Sequence, residues 1–273
     1  RAMENLSLFQ YAVIGLIFAW SGFVRTGLGF GGAVLSLPFL LLIVNDPLVF
    51  LPLIAAHLIF FSSLVFLNNW QAHRKAVNTS QASDGDRSLS AALGIDWKYL
   101  WSAMKIMIIP KLIGIVGLVT LPADVMSIFI FVIISAYALG YIVNQPIKIK
   151  SVWTERGLLA LGGYVSGSSL TGAPLIIPPF AQNVVKEKLR NTLFVNWQIL
   201  TALKLTSFVV LGVNLQLIHH LWLLPCAFVG HIIGERVHQR LVQAEGSTFF
   251  RVLGTALLVV SGIGLLKAFG VFH

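Results

Sequence analysis

The sequence predicts an all-α integral membrane protein made of two inverted repeats. Each repeat is a broken-helix hairpin plus three transmembrane helices, about 8–10 helical segments in all. Three observations carry this. First, the 273-residue chain is 57% hydrophobic and 11% charged, with mean hydropathy +0.86, whereas soluble domains carry about 25% charged residues. Second, apolar runs such as Leu48–Leu67, Val125–Ile142 and Phe249–Leu266 match the roughly 20 residues a spanning helix needs and lack the short period of barrel strands. Third, the stretch GFVRTGLGFGGAVLSLP from Gly22 to Pro38 recurs, altered, as GYVSGSSLTGAPLIIPP from Gly163 to Pro179. At this one offset Gly22 falls on Gly163, Val24 on Val165, Gly31 on Gly172, Pro38 on Pro179 and Phe39 on Phe180. Interrupted apolar segments in matching positions of two halves point to a ligand site in a membrane chain.

Taken in order, residues 8–24 are apolar, Arg25–Gly32 bend, and 33–44 are apolar again. A continuous helix over 8–44 would reach about 55 Å against a hydrocarbon core of roughly 30 Å, so the chain must turn back or cross twice. Asn45-Asp46-Pro47 is a turn, and 48–67 is a span carrying His57. The polar stretch 68–99 reads as a mobile loop with a short helix near Trp97–Trp101. Residues 100–121 span, with Lys105 and Lys111 inside and Pro110 kinking the helix. After the turn at Leu121–Asp124, residues 125–142 span, and 143–156 form a basic linker. The second half repeats the plan: a broken segment at 156–183, a charged turn at Lys186–Arg190, a span at 191–213, a turn at Val213–His220, a span at 221–236, a polar Arg236–Gly246 and a last span at 248–268. The whole of 1–273 is expected to be one transmembrane domain, with repeat 1 at about 8–142 and repeat 2 at about 152–268. Arg1 and Ala2 before Met3 read as an added dipeptide, which makes Met3 the expected native start.

The net charge of +9 sits mostly in short loops, the pattern of topology signals and not of a nucleic-acid surface. Basic residues gather at 73–98, 148–156, 186–190 and 236–240, whereas the loops near 45, 122 and 215 have none. The positive-inside rule then puts the basic loops in the cytoplasm, inverts the halves and leaves both termini outside. Two parallel four-helix halves are the alternative. Whether each hairpin leg spans fully or stops midway stays open. Trp70, Trp97, Trp101, Trp153 and Trp222 near span ends read as an interfacial belt.

The bends carry the candidate ligand contacts. A mid-membrane break frees backbone N–H groups and aims the positive end of the next half-helix at the gap. Gly29, Gly31 and Gly32 precede a half-helix expected near Ala33; Thr171 and Gly172 precede one expected near Pro174. Ser168, Ser169 and Thr171 add hydroxyl donors. At the same offset His57 falls on Gln198, a polar residue inside an apolar helix in both halves. Asn196 and Lys204 flank Gln198 on its span. Arg25 is an intramembrane cation able to grip an oxyanion with a bidentate fork. Interior cations with no obvious carboxylate partner suit an anionic ligand. Each residue also has a structural reading: close packing for Gly and Ser, helix-to-helix hydrogen bonds for His57, Gln198 and Asn196, snorkelling for Lys105 and Lys204, and core packing for His231 and Cys226.

The segments GLGFGGAVLSLP and SLTGAPLIIPP resemble those of the TauE/SafE family of sulfite and organosulfonate exporters, and the Pro110-KLIGIVG and Pro225-CAFVGHIIG helices are similar to its third-helix pattern. The resemblance covers nearly the whole chain. It implies a multi-pass transporter of the bacterial inner membrane that exports sulfite or a C2 organosulfonate such as sulfoacetate by alternating access. The expected partners are that small anion and the lipid bilayer, with no nucleic acid; a homo-oligomer is left open. An anion channel, or an importer of another small anion, is the alternative, and a channel differs by passive high-throughput flux. Arg25 stands where the second copy has Ser166, a departure that makes the expected site asymmetric. No HExxH, GxSxG or paired carboxylates argue for an enzyme, and a single cysteine, Cys226, excludes an internal disulfide and a multi-Cys metal site. No cofactor is expected.

Overall fold

Lipid offers no partner to a free backbone N–H or C=O, so apolar segments there satisfy their own groups as helices. The computed structural model describes residues 3–28, 32–79, 94–145, 147–243 and 247–270, and the described residues form ten helices and no strand. In the first half these are α1 (Leu8–Leu28), α2 (Gly32–Ile43), α3 (Pro47–Thr79), α4 (Trp97–Thr120) and α5 (Ala123–Val143). In the second they are α6 (Val152–Ser169), α7 (Ala173–Asn183), α8 (Lys186–Val210), α9 (Leu217–Gln243) and α10 (Ser247–Ala268). Seven are long and apolar enough to cross a membrane: α1, α3, α4, α5, α8, α9 and α10. The chain is thus a multi-pass membrane protein. Its outward helix faces carry large apolar side chains such as Ile109, 67% exposed, and Leu221, 78% exposed, which water would penalise and acyl chains accept.

Each hairpin pairs a longer leg with a short one. Helix α2 has 12 residues and α7 has 11, about 18 and 16 Å of rise, so neither short leg reaches across a hydrocarbon core of roughly 30 Å. The half-helices begin at Gly32 and Ala173, with Pro174 in the first turn of α7. Several boundaries differ from those expected. Lys186–Arg190 is the first turn of α8, not a loop; α3 continues through the polar residues to Thr79; α9 begins at Leu217 and runs past Arg236 to Gln243. Charged residues extend a helix readily once an apolar core has nucleated it, because Lys, Arg, Glu and Gln are good helix formers. Helix α4 begins with the Asp96 carboxylate accepting from the Tyr99 N–H, and α6 with the Ser151 hydroxyl accepting from the Thr154 N–H, both N-caps.

The two halves interlock. The first helix of each packs on the fourth helix of the other, α1 on α9 and α6 on α4, and α5 pairs with α10. Glycine makes the crossings close. A Cβ on Gly230 would stand 1.8 Å from the Ala19 carbonyl oxygen, and one on Gly22 would stand 2.2 Å from that of Ala227. On the other side, Cβ atoms on Gly114 and Gly167 would stand 2.3 Å from Tyr164 O and 2.1 Å from Lys111 O. No side chain fits at such distances, the small-residue packing common in membrane bundles. Gly22 and Gly163, equivalent by sequence offset, each abut a backbone carbonyl of the partner half's fourth helix, Ala227 and Met107.

Helices α5 and α10 run antiparallel. Gly254 of α10 lies against Ala138 and Tyr141, whereas Gly264 lies against Phe131. The turns also sort by charge. Asn45 donates to Asp124 at 2.7 Å, which brings two turns free of Lys and Arg to one end. At the other end Thr192 Oγ1 accepts from the Asp96 N–H at 3.0 Å, and the Tyr99 hydroxyl and the Asn183 amide both donate to Glu155. That end carries Arg156, Lys186, Lys188 and Arg190. Trp97, Trp101 and Trp153 stand exposed there.

Candidate functional site

The start of α2 and the bend between α6 and α7 line one crevice of about 60 Å³. Gly32 and Ala33 line it from the first hairpin; Ser166, Leu170, Gly172 and Ala173 line it from the second. Helices α3 and α8 complete the walls with Leu58, Ser62, Trp197, Leu200 and Thr201. The bend between α6 and α7 depends on Leu170, which holds φ 60°, a left-handed conformation uncommon for a branched side chain. At Gly172 a Cβ would stand 2.3 Å from the Gly162 carbonyl oxygen, so only glycine lets the chain turn so tightly against α6.

A second hollow of about 290 Å³ adjoins the first and shares Arg25, Ser62 and Phe194 with it. It is lined further by Thr26, Phe61, Val65, Arg190, His231 and Glu235, and so lies toward the basic end. Glu235, 54% exposed at the side chain, lies 3.4 Å from His231 Nε2, and the other ring nitrogen of His231 is 2.6 Å from the Thr26 hydroxyl.

Arg25 stands between the two hollows, in the last turn of α1. It is 8% exposed. Its guanidinium sits 4.7 Å from the Phe61 ring centroid, and its Nε and Nη2 find no hydrogen-bond partner among the described residues. The cation–π contact and the negative end of α1 offset part of the cost of burying this charge. The unused N–H groups remain available to an incoming acceptor.

Two more cations lie beside the second bend. Lys111 and Lys204 are both fully buried. Lys111 Nζ donates to Ser166 Oγ at 2.9 Å, and Lys204 Nζ donates to the Gly167 carbonyl at 2.7 Å. Lys204 therefore satisfies an end carbonyl of α6 instead of snorkelling, and its ammonium stands 5.5 Å from the Phe208 ring centroid. Neither lysine meets a carboxylate among the described residues.

The remaining sequence candidates divide as follows. Arg25, Gly32 and Gly172 line the crevice. Gly29 and Gly31 lie outside the described residues. Ser168 and Ser169 donate back to the Val165 carbonyl, and Ser169 and Thr171 share a 2.6 Å hydrogen bond, so these hydroxyls brace the bend from behind. His57 binds the Leu53 carbonyl through Nδ1, leaves Nε2 unpartnered among the described residues, and stacks on His220 with centroids 5.3 Å apart. Gln198 donates to Ser63 at 3.0 Å and so joins α8 to α3. Asn196 is buried with both amide atoms unpartnered among the described residues, but it lines neither hollow.

Ser62, Ser166, Thr201 and Arg190 line the hollows, although sequence reasoning had not selected them. Ser166 carried a signal, because it is the offset mate of Arg25. Arg190 was hidden by its charged neighbours, which read as a loop. Ser62 and Thr201 carried no signal beyond being hydroxyls in apolar helices. No family model, no curated protein and no solved structure matches this chain.

Proposed function

We propose that the chain is a secondary transporter related to the TauE/SafE exporters, carrying sulfite or a C2 organosulfonate such as sulfoacetate across the bacterial inner membrane by alternating access. The observation that carries this reading is the Arg25 guanidinium, buried between the two hollows with donor groups unused. A buried cation without a carboxylate is costly in a membrane, and an oxyanion is the natural complement to its planar fork. Arg190 adds a second cation to the larger hollow, and Gly32 and Ala33 at the start of α2 line the crevice.

Inverted halves belong to the same proposal. The antiparallel run of α5 and α10 and the gathering of basic turns at one end both support it. With that end in the cytoplasm, the larger hollow is an inward-facing vestibule and the crevice is the occluded site. The two short half-helices are the elements that shift between states. The inside-negative potential favours anion export.

The deciding experiment is thermal stability of the purified protein with sulfite, sulfoacetate, taurine, sulfate, thiosulfate and chloride. A ligand at a hundred times its Kd stabilises the folded state by about 2.7 kcal/mol. Selective stabilisation by sulfite or a sulfonate, lost in Arg25→Ala, is the expected result. No response to any sulfur oxyanion removes the substrate assignment. Non-saturating flux in proteoliposomes would favour the channel alternative.

A further inference from the structure

Resting on the anion-carrying function proposed above, we infer that Ser166 is the second anion contact in the crevice, opposite Arg25, and that Lys111 acts through it as a positioning residue. Ser166 lines the crevice, is 5% exposed, and accepts from Lys111 Nζ at 2.9 Å. That bond occupies an oxygen lone pair. The hydroxyl proton meets no acceptor among the described residues, so it is free to point at a ligand. A hydroxyl that accepts from an ammonium is polarised into a stronger donor.

The packing holds this arrangement still. A Cβ on Gly167 would stand 2.1 Å from the Lys111 carbonyl oxygen, so α4 and α6 touch backbone to backbone beside Ser166. Lys204 fixes the same turn from α8 through the Gly167 carbonyl. Lys111 is fully buried, with Ser166 as its one hydrogen-bond partner among the described residues. A lysine in so costly a place is poorly explained by stability, since an apolar side chain of similar length would cost less.

The repeat makes the logic explicit. At one position the first half presents a cation directly, Arg25. The second half presents a hydroxyl, Ser166, and borrows its cation from α4. The two sides of the crevice thereby offer an oxyanion a charged fork on one face and a charge-backed hydroxyl on the other.

The test uses the full chain in detergent, with sulfite and sulfoacetate titrated against melting temperature in wild type, Arg25→Ala, Ser166→Ala, Ser166→Thr, Lys111→Met and the Ser166→Ala/Lys111→Met double variant. Ser166→Ala and Lys111→Met should each weaken anion binding about tenfold. The double variant should lose no more than Ser166→Ala alone, because Lys111 acts through the hydroxyl. Ser166→Thr should keep most of the affinity. Without ligand, Lys111→Met should melt no lower than wild type, whereas a purely structural lysine would melt lower when removed. Multiplicative losses in the double variant, or wild-type affinity in Lys111→Met, overturn the inference. A wild-type response abolished by Arg25→Ala but untouched in Ser166→Ala overturns it alone and leaves the transport function standing. No response in the wild type overturns both.

Discussion

Arg25 and Ser166 occupy equivalent positions of the two halves and line the same crevice of about 60 Å³. The crevice therefore brings unlike chemistry to one place: a guanidinium from the end of α1 and a hydroxyl from the end of α6. Gly32 and its mate Ala173 do the same at the starts of α2 and α7.

Arg25 is expected to trade stability for binding. Arg25→Met removes a buried, partly unsatisfied charge, so the ligand-free protein should melt at the same temperature or higher. Anion affinity should fall about a hundredfold, the loss of a charge-assisted bidentate contact. Arg25→Lys should recover only part of it, because an ammonium presents no fork. Melting curves with and without sulfite read both effects.

The glycine crossings set a second expectation. Gly230→Ala and Gly114→Ala would force a Cβ to 1.8 and 2.3 Å from backbone carbonyl oxygens, and the helices must separate. Each should cost about 1–3 kcal/mol, seen as a clear fall in melting temperature. Gly140→Ala is the control. Nothing lies within 4 Å of its added Cβ, so it should be neutral or stabilising by about 0.5–1 kcal/mol.

Gln198 and Ser63 should behave as a structural clasp. Their 3.0 Å hydrogen bond joins α8 to α3, and a hydrogen bond between membrane helices contributes on average about 0.6 kcal/mol. Gln198→Ala and Ser63→Ala should each lower stability by that order and not add in combination. Affinity for sulfite that survives Gln198→Ala places Gln198 outside the anion contacts; a tenfold loss would return it to them.

Glu235 is the acidic residue among those lining the larger hollow, which it shares with Arg25 and Arg190. Glu235→Gln removes its repulsion toward an incoming anion and should raise apparent affinity about threefold at low ionic strength. Arg190→Gln should lower it by a similar factor. Both effects should shrink as salt screens the vestibule, and neither should alter stability much. Transport assays at two ionic strengths separate this from a change at Arg25.

Much of the fold is local in origin. The apolar runs, the prolines and the glycine-rich interruptions place helices and bends because lipid makes every unpaired backbone group expensive, and α7 begins at Ala173, within a residue of the Pro174 that first-turn chemistry singles out. The charged helix ends were less legible. Lys186–Arg190 and Arg236–Gln243 resemble loop in composition, yet they continue helices whose apolar parts are already formed. The bends drew attention to Ser168, Ser169 and Thr171, but these hydroxyls turn back on their own helix.

By itself the sequence determined a helical membrane chain with two similar apolar stretches at one fixed offset, each punctuated by glycine and proline, and with several interior cations. Those features follow from hydropathy, glycine and proline, which act within a few residues. Only the tertiary structure decided which polar groups meet: Lys204 on Gly167, Lys111 on Ser166, Gln198 on Ser63, and Arg25 left with unused donors between two hollows. The rotation of a helix about its axis decides which side chains converge. In a membrane that rotation is set by close backbone packing against distant helices, not by any signal along the chain.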